Sequence, residues 1–160
     1  QHSVVCNQKY DKIYPYSFHL DMVYSNCKKF INLIPTEFRP LILAAAYGHD
    51  AIEDARLSYN EIKDKFRSVE LAEIIYLCTE NRGRNRSERK SIEWFKDLNQ
   101  NTLAVFIKLC DIMANSQYSF CTSSSMFPKH VQEYVEKVKP LLYTTGFTPI
   151  FDYLDKLYSL

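Results

Sequence analysis

The stretch Ala-Ala-Ala-Tyr-Gly-His-Asp-Ala-Ile-Glu-Asp at residues 44–54 decides the fold and carries the first chemical signal. It follows an apolar run and places four ionisable side chains at its end. We predict one helix over residues 40–54, in which His49 and Glu53 share one strip and Asp50 and Asp54 share the next, because side chains four apart are neighbours.

Adjacent His49 and Asp50 offer an imidazole nitrogen and a carboxylate oxygen, a ligand set that suits Mn²⁺, Fe²⁺ or Zn²⁺. Glu53 and Asp54, one turn on, are placed to move the protons of an activated water. The alternative is a helix end that carries solvated acids. For a lone His-Asp pair that alternative is the more frequent one, since short motifs match by accident.

Composition indicates one domain over residues 1–160, with 46% hydrophobic and 24% charged residues. The net charge of +1 argues against a nucleic-acid polymer as partner. No apolar run approaches the roughly 18 residues that cross a bilayer, so we expect no membrane span. Five cysteines without a Cys-x-x-Cys pattern predict reduced thiols and a cytoplasmic location. Nothing here predicts the oligomeric state.

Apolar residues recur at helical spacing along the chain, and glycine is scarce, which predicts an all-α bundle of about seven to eight helices. The helices at 40–54 and 102–118 are expected to lie side by side at its centre. Residues 1–15 and 119–127 are expected to be irregular, and a strand over 74–77 is the alternative to one helix. The predicted helices span residues 17–34, 40–54, 58–66, 69–79, 92 to an end around 99–101, 103–118, 128–142 and 148–158.

The helix at 103–118 is apolar nearly all round, yet it contains Asp111. A buried carboxylate is costly unless it is paired or bound to a metal. One interpretation is a buried pair of Lys108 with Asp111, and the other, which we favour, is a metal ligand. His19 falls in the first turn of the first helix, where a lone histidine is more often a surface or satisfied core residue.

A basic stretch lies between the fourth and fifth predicted helices, around Gly83. Such runs are usually solvated loops. The functional interpretation is a mobile anion clamp, because arginine matches phosphate oxygens with two parallel hydrogen bonds. Its members are Arg82, Arg84, Arg86, Arg89 and Lys90.

The ordered series His19, His49-Asp50, Asp111 resembles that of the HD-domain metal phosphohydrolases. The segment His-Asp-Ala-Ile-Glu-Asp at 49–54 is similar to the His-Asp-x-x-Glu-Asp of the alarmone hydrolases, the RelA/SpoT enzymes and the small metazoan SpoT homologues. Pro-Tyr-Ser-Phe-His at 15–19 is similar to their Pro-Tyr-x-x-His. Residues 104–111 with Asn115 are similar to their Lys-Leu-Ala-Asp-x-x-x-Asn helix. The resemblance covers residues 8–118 and leaves the C-terminal helices at 128–160 outside.

The resemblance implies an HD-domain helical bundle that holds one divalent metal, Mn²⁺ in the first instance and Fe²⁺ or Zn²⁺ as alternatives. Its implied ligands are His19, His49, Asp50 and Asp111. It implies Glu53 as general acid and base and Asp54 as the residue that orients water or Glu53. Tyr10 and Asn115 would contact the nucleoside of a nucleotide substrate, and the basic stretch would contact its terminal phosphates. The implied reaction releases pyrophosphate from the ribose 3′ position of (p)ppGpp, the alarmone of the stringent response.

The sequence also departs from that family. Tyr10 and Asp11 stand where the family usually carries a basic pair that holds the guanine base. Three functions therefore remain open. They are a (p)ppGpp-type 3′-pyrophosphohydrolase, an HD phosphatase for another nucleotide, and a non-catalytic HD module that binds nucleotides or proteins. The paired acids Glu53 and Asp54 weigh against the third, since a binding module needs no proton transfer.

Overall fold

The fold is almost entirely helical in the computed structural model, which describes residues 9–80 and 85–159. The α-helices are α1 (Ser17–Lys29), α2 (Arg39–Gly48), α3 (Tyr59–Phe66), α4 (Val69–Cys78), α5 (Arg86–Arg89), α6 (Ile92–Leu98), α7 (Thr102–Cys121), α8 (Phe127–Glu133), α9 (Lys139–Leu142) and α10 (Thr148–Tyr158). A π-helical segment, Tyr134–Val138, joins α8 to α9, and short 3₁₀ turns occupy Ile31–Leu33, Thr36–Phe38 and Thr145–Phe147. With α8 to α9 counted as one helix, eight helices in the described part of the chain exceed a single turn, which confirms the predicted all-α bundle.

Helix α7 is the centre of the bundle. Its residues 104–114 are all buried, because apolar side chains cover most of its circumference. It packs chiefly against α1 and also against α2 and α4, which confirms that the helices predicted at 40–54 and 102–118 lie side by side. A Cβ on Gly48 would lie 2.7 Å from Ile75 Cδ1, so glycine lets the end of α2 approach α4 closely.

Short polar side chains begin several helices as the sequence suggests. The Ser58 hydroxyl accepts a hydrogen bond from the Glu61 N–H at 3.2 Å, and Glu61 Oε2 accepts one from the Ser58 N–H at 2.8 Å. This reciprocal pair is the capping box of α3. Asn101 caps α7 by accepting from the N–H groups of Leu103 and Ala104. Residues 74–77 belong to α4, which confirms the predicted helix over 69–79 and excludes the alternative strand.

The helix predicted over 40–54 ends at Gly48, so its last six residues were assigned wrongly. Residues 49–54 form turns, with a tight hydrogen bond from the Ala51 N–H to Gly48 O at 2.9 Å. One helical hydrogen bond survives beyond it, from the Asp54 N–H to Asp50 O at 2.8 Å. The acids of this segment bond to groups outside it, which favours a compact turn over continued helix.

Two other helix boundaries and one segment predicted to be irregular differ from the prediction. Helix α1 ends at Lys29 rather than near residue 34, because Ile34 precedes a proline and is extended (φ −106°, ψ 132°). Helix α7 continues to Cys121, into the segment predicted as a loop. Residues 9–15 form a hairpin of β1 (Lys9–Tyr10) and β2 (Tyr14–Pro15), paired antiparallel with Tyr10 opposite Tyr14. The rest of the predicted irregular segment, residues 1–8, lies outside the described residues.

Two further expectations concern the whole chain. Among the described helices, none combines the length and the apolar character that a bilayer span requires. Cys27, Cys78 and Cys110 are buried free thiols and Cys121 is an exposed one, in line with the expectation for these four, and Cys6 lies outside the described residues.

Candidate metal centre

Four residues from three separate segments of the chain meet beside the middle of α7. His19 comes from the first turn of α1, His49 and Asp50 from the turn after α2, and Asp111 from α7, and all four are buried. One ligand atom from each of His19, His49 and Asp111 lies within 4.8 Å of the other two. The structure therefore brings three of the implied ligands together in a buried group that could hold a metal ion, and Asp50 Oδ2 lies 3.0 Å from His49 Nε2 beside them.

The orientation of His49 is fixed by its backbone partner. Its Nδ1 lies 2.9 Å from Ala46 O, which can only accept, so Nδ1 carries the proton. Nε2 of a neutral ring then carries a lone pair. This atom is buried without a hydrogen-bond partner among the described residues, and it lies 3.0 Å from Asp50 Oδ2 and 3.8 Å from Asp111 Oδ1. Three acceptors that face one another require a cation or a proton between them.

His19 presents Nε2 to the same point. The atom lies 3.2 Å from Asp111 Oδ1 and 3.6 Å from Asp50 Oδ2. For metal bonds of about 2.1 Å, ligand atoms at right angles are about 3 Å apart and opposite ones about 4.2 Å apart. The measured separations of 3.0 to 3.8 Å fall in this range. The Tyr10 ring stacks on the His19 ring with centroids 5.0 Å apart and holds its plane.

Asp50 is oriented by a residue from the segment just before α1. The Tyr16 hydroxyl donates a hydrogen bond to Asp50 Oδ2, the oxygen that faces both imidazoles. Asp54 also interacts with this hydroxyl, and burial together with the two carboxylates raises the pKa of Tyr16. Because its pKa is raised, the Tyr16 hydroxyl is a neutral donor at neutral pH. Asp54 lies beside Tyr16 and Asp50. Because residues 49–54 form turns, Asp54 and Glu53 do not lie on neighbouring strips of a helix as predicted.

Both oxygens of Asp111 have assigned partners. Oδ2 lies 3.0 Å from the buried Lys108 Nζ, and Oδ1 accepts a hydrogen bond from Asn115 Nδ2 at 2.7 Å. The Tyr10 hydroxyl in turn donates to Asn115 Oδ1 at 2.9 Å. Tyr10 and Asn115, predicted as nucleoside contacts, therefore form a chain of hydrogen bonds that ends on Asp111, and both also line the adjacent cleft.

Glu53 stands at the edge of the centre. Its Oε1 accepts a hydrogen bond from the backbone N–H of Glu80, the second residue after α4. Loss of surrounding water raises the pKa of Glu53 to about 7, although the side chain keeps exposed surface, and the charge of Lys108 and the Glu80 N–H oppose the rise. A carboxyl group with this pKa exchanges protons readily near neutral pH.

The electrostatics of the four central groups favour protonated imidazoles beside ionised carboxylates when no metal ion is bound. Burial lowers the pKa of His19 and His49, but their carboxylate neighbours outweigh burial and raise both pKa values, that of His49 well above its ordinary value. Burial acts to raise the pKa of Asp50, yet the imidazoles hold it well below its usual range. For Asp111, Lys108 and the imidazoles have the same effect.

A cleft of about 270 Å³ opens beside the centre and shares Asp111 with it. Its described lining includes Tyr10, Asp11, Asn115, Tyr118 and His130. The hairpin supplies Tyr10 and Asp11, and Asp11 Oδ2 accepts a hydrogen bond from the Tyr118 hydroxyl at 2.8 Å. An aromatic wall with a carboxylate acceptor is suited to a ring that carries hydrogen-bond donors.

The basic stretch is described only in part. Arg82 and Arg84 lie outside the described residues, as does the side chain of Arg86. Arg89 is half exposed, with Nε 3.7 Å from Glu80 Oε2. Lys90 is buried and lines the cleft, but its ammonium lies 2.6 Å from Glu133 Oε1. The charge of Lys90 is thus offset within the protein before any ligand is bound.

Comparison of the chain with models of known protein families and with curated proteins gives no match. The chemistry of the centre is therefore derived from its own residues. Two imidazole nitrogens and two carboxylate oxygens form a mixed set that suits Mn²⁺, Fe²⁺ and Zn²⁺. Tyr16 and Glu80 are additional contacts that sequence reasoning did not assign to the site.

Proposed function

We propose that this protein is a metal-dependent phosphohydrolase that acts on a nucleotide, with (p)ppGpp-type 3′-pyrophosphate release as the first candidate reaction. One observation carries the proposal. His49 Nδ1 donates to Ala46 O, and the buried Nε2 of the same ring faces the carboxylates of Asp50 and Asp111. With neutral imidazoles, this donor set would be suited to a divalent cation.

His19, His49, Asp50 and Asp111 would hold the divalent ion, which supplies charge neutralisation at a phosphate and lowers the pKa of a water. Glu53, whose pKa is raised to about 7 by loss of surrounding water, would accept a proton from the attacking water and return it to the leaving oxygen. The Glu80 N–H fixes one Glu53 oxygen, which leaves the other for that exchange. Asp54 would act through Tyr16 rather than directly on Glu53.

The cleft supports a nucleoside as the organic part of the substrate. Tyr118 and Tyr10 contribute ring surface, and their centroids lie 4.8 Å apart in an edge-on arrangement. Asp11 adds a carboxylate acceptor at the same wall. Aromatic surface with an acceptor is suited to a base that presents N–H groups at its edge.

Asp11 also favours a second candidate, a phosphatase of the same class for a different nucleotide. The family that the sequence resembles usually carries basic side chains at this position, whereas Asp11 repels phosphate. A substrate whose phosphates all lie towards the metal centre would avoid this repulsion. The two candidates differ in the product: pyrophosphate in the first, and orthophosphate in the second.

A product assay tests both candidates. Purified protein, stripped of metal and loaded with Mn²⁺, is incubated with a panel that contains ppGpp, pppGpp and common nucleoside mono-, di- and triphosphates, and orthophosphate and pyrophosphate are measured separately. We expect release from at least one compound, abolished by EDTA and unaffected by Glu37→Gln, an exposed glutamate outside the centre. Absence of release from every compound at full metal occupancy would favour the non-catalytic binding module.

A further inference from the structure

A line of alternating charges runs from the metal centre into the bundle. Lys108 Nζ lies 3.0 Å from Asp111 Oδ2 and 3.9 Å from Glu80 Oε1. Lys90 Nζ lies 3.3 Å from the same Glu80 oxygen and 2.6 Å from Glu133 Oε1. The order is therefore Asp111, Lys108, Glu80, Lys90, Glu133, and both lysines are buried.

Glu80 differs from the other residues of this line because it also forms a hydrogen bond with Glu53. Its backbone N–H donates to Glu53 Oε1, while its carboxylate lies between the two lysine ammonium groups. One residue thus contacts the proposed general base through its main chain and faces, through its side chain, the lysine that holds a metal ligand. In the described lining, Glu80 is also shared by the 270 Å³ cleft and a second cleft of about 410 Å³.

We propose that Glu80 is a positioning residue of the metal centre, and this inference rests on the proposed function. Its carboxylate offsets the charge of Lys108 and limits how strongly Lys108 withdraws electron density from Asp111. Lys108 in turn occupies Asp111 Oδ2, which leaves Oδ1 as the oxygen that faces the imidazoles. Glu80 therefore keeps Asp111 a good single-oxygen ligand without touching the ion.

The side-chain part of this role is isolated by Glu80→Gln, which keeps size and the backbone N–H but removes the charge. Loss of outer groups that orient a ligand typically weakens metal affinity by about 10–100-fold, and we expect the lower end, about tenfold, because Glu80 acts through Lys108. Binding of Mn²⁺ is measured by isothermal titration calorimetry, so the result does not depend on turnover.

Glu133→Gln is the matched control. It removes the other carboxylate partner of Lys90, at 2.6 Å, from the same buried line. A purely structural role predicts that both variants lower the unfolding temperature and change the Mn²⁺ Kd equally. The positioning role predicts a Kd within about twofold of the parent protein for Glu133→Gln and the tenfold loss for Glu80→Gln alone.

A double-mutant cycle decides how Glu80 acts. If it works through Lys108, Glu80→Gln adds no further loss of affinity in a Lys108→Met background, whereas a general charge effect adds in full. Equal Kd values for parent and Glu80→Gln, or full additivity, overturn the proposal, as does a parent protein that binds no Mn²⁺. If Glu80→Gln does not fold, Glu80→Asp, which keeps the charge at shorter reach, must show the affinity loss. A parent that binds Mn²⁺ but hydrolyses no nucleotide removes the proposed reaction and leaves this inference standing.

Discussion

Lys108 and Asp111 form a buried ion pair, with 3.0 Å between Nζ and Oδ2, while Asp111 Oδ1 faces the imidazoles of His19 and His49. The sequence offers a lysine pair and a metal ligand as alternative explanations of this carboxylate. In the structure, Asp111 Oδ2 pairs with Lys108, and Asp111 Oδ1 faces His19 and His49. The two explanations are complementary because Asp111 has two oxygens that point in different directions.

This arrangement predicts a large stability effect for Lys108→Met. Removal of one partner leaves a buried carboxylate uncompensated, and the free energy of unfolding of the metal-free protein should fall by about 3–5 kcal/mol. Urea unfolding in EDTA measures the loss. Lys139→Met is the control, because its pair with Asp155 is nearly half exposed and should be worth about 0–1 kcal/mol. A similar small loss for both variants would contradict the buried pair.

Metal content provides the second prediction. We expect elemental analysis of the purified protein to give about one transition-metal ion per chain, from the single donor set described above. His49→Ala should lose the ion, since its lone-pair nitrogen is removed. Asp21→Ala, which removes a carboxylate that bonds to the exposed Tyr47, should retain it. Full metal retention in Asp111→Ala would refute the ligand set.

The raised pKa values of His19 and His49 make metal binding pH-dependent. Without metal, the carboxylates hold protons on the imidazoles, so metal and protons compete for the same nitrogens. Mn²⁺ affinity should therefore increase as the pH rises from about 6.5 through the raised pKa values, with protons released on binding. Calorimetry in buffers of different ionisation enthalpy counts these protons.

The stability of the metal-free protein follows the opposite course. A raised histidine pKa contributes stability that is fully present below the unfolded value of about 6.5 and is lost as the pH rises through the folded value. In EDTA the unfolding temperature should therefore fall above neutral pH, and with Mn²⁺ it should not. Identical profiles with and without metal would contradict this competition.

Tyr16→Phe tests the outer contact on Asp50. The hydroxyl donates to the oxygen that faces both imidazoles, and its removal should weaken Mn²⁺ binding by about 10–100-fold. Tyr14→Phe is a neighbouring control, because the Tyr14 ring stacks on Phe18 rather than on a ligand. An unchanged Kd in Tyr16→Phe would show that the hydroxyl does not orient Asp50.

The features that the sequence predicts correctly are those set by residues close together in the chain. Helical spacing gives the existence of each long helix, and the Ser58 capping box gives the start of α3. The end of α2 was misjudged because Asp50 and Glu53 bond to Tyr16 and to the Glu80 N–H, which helix propensity cannot anticipate. Lys108 was found because it lies three positions from Asp111, within one helical turn.

Glu80 was missed for a related reason. It lies 27 positions after Glu53 and bonds to it through a backbone N–H, and a main-chain donor leaves no mark in the amino-acid sequence. The His19, His49-Asp50 and Asp111 series could be found from sequence because each residue type is itself a ligand. Contacts that orient such ligands use common residues, and only the folded chain shows which ones are close.

Glu53→Gln separates binding from chemistry. The change keeps the size of the side chain and removes its ability to transfer a proton. The Glu53 carboxylate does not face the imidazoles, so Mn²⁺ and nucleotide should still bind. Turnover should fall by about 10²–10⁴, the usual contribution of general acid and base catalysis.

In the metal-free protein, burial raises the pKa of Glu53 to about 7, and a bound cation lowers it by favouring the carboxylate. The rate of the parent protein should therefore rise with pH through a value at or below 7, as a base requires. Glu53→Gln should lack this rising limb, while Glu37→Gln should keep it. If Glu53→Gln hydrolyses the same nucleotides as fast as the parent protein, with the same pH profile, then Glu53 is not the base.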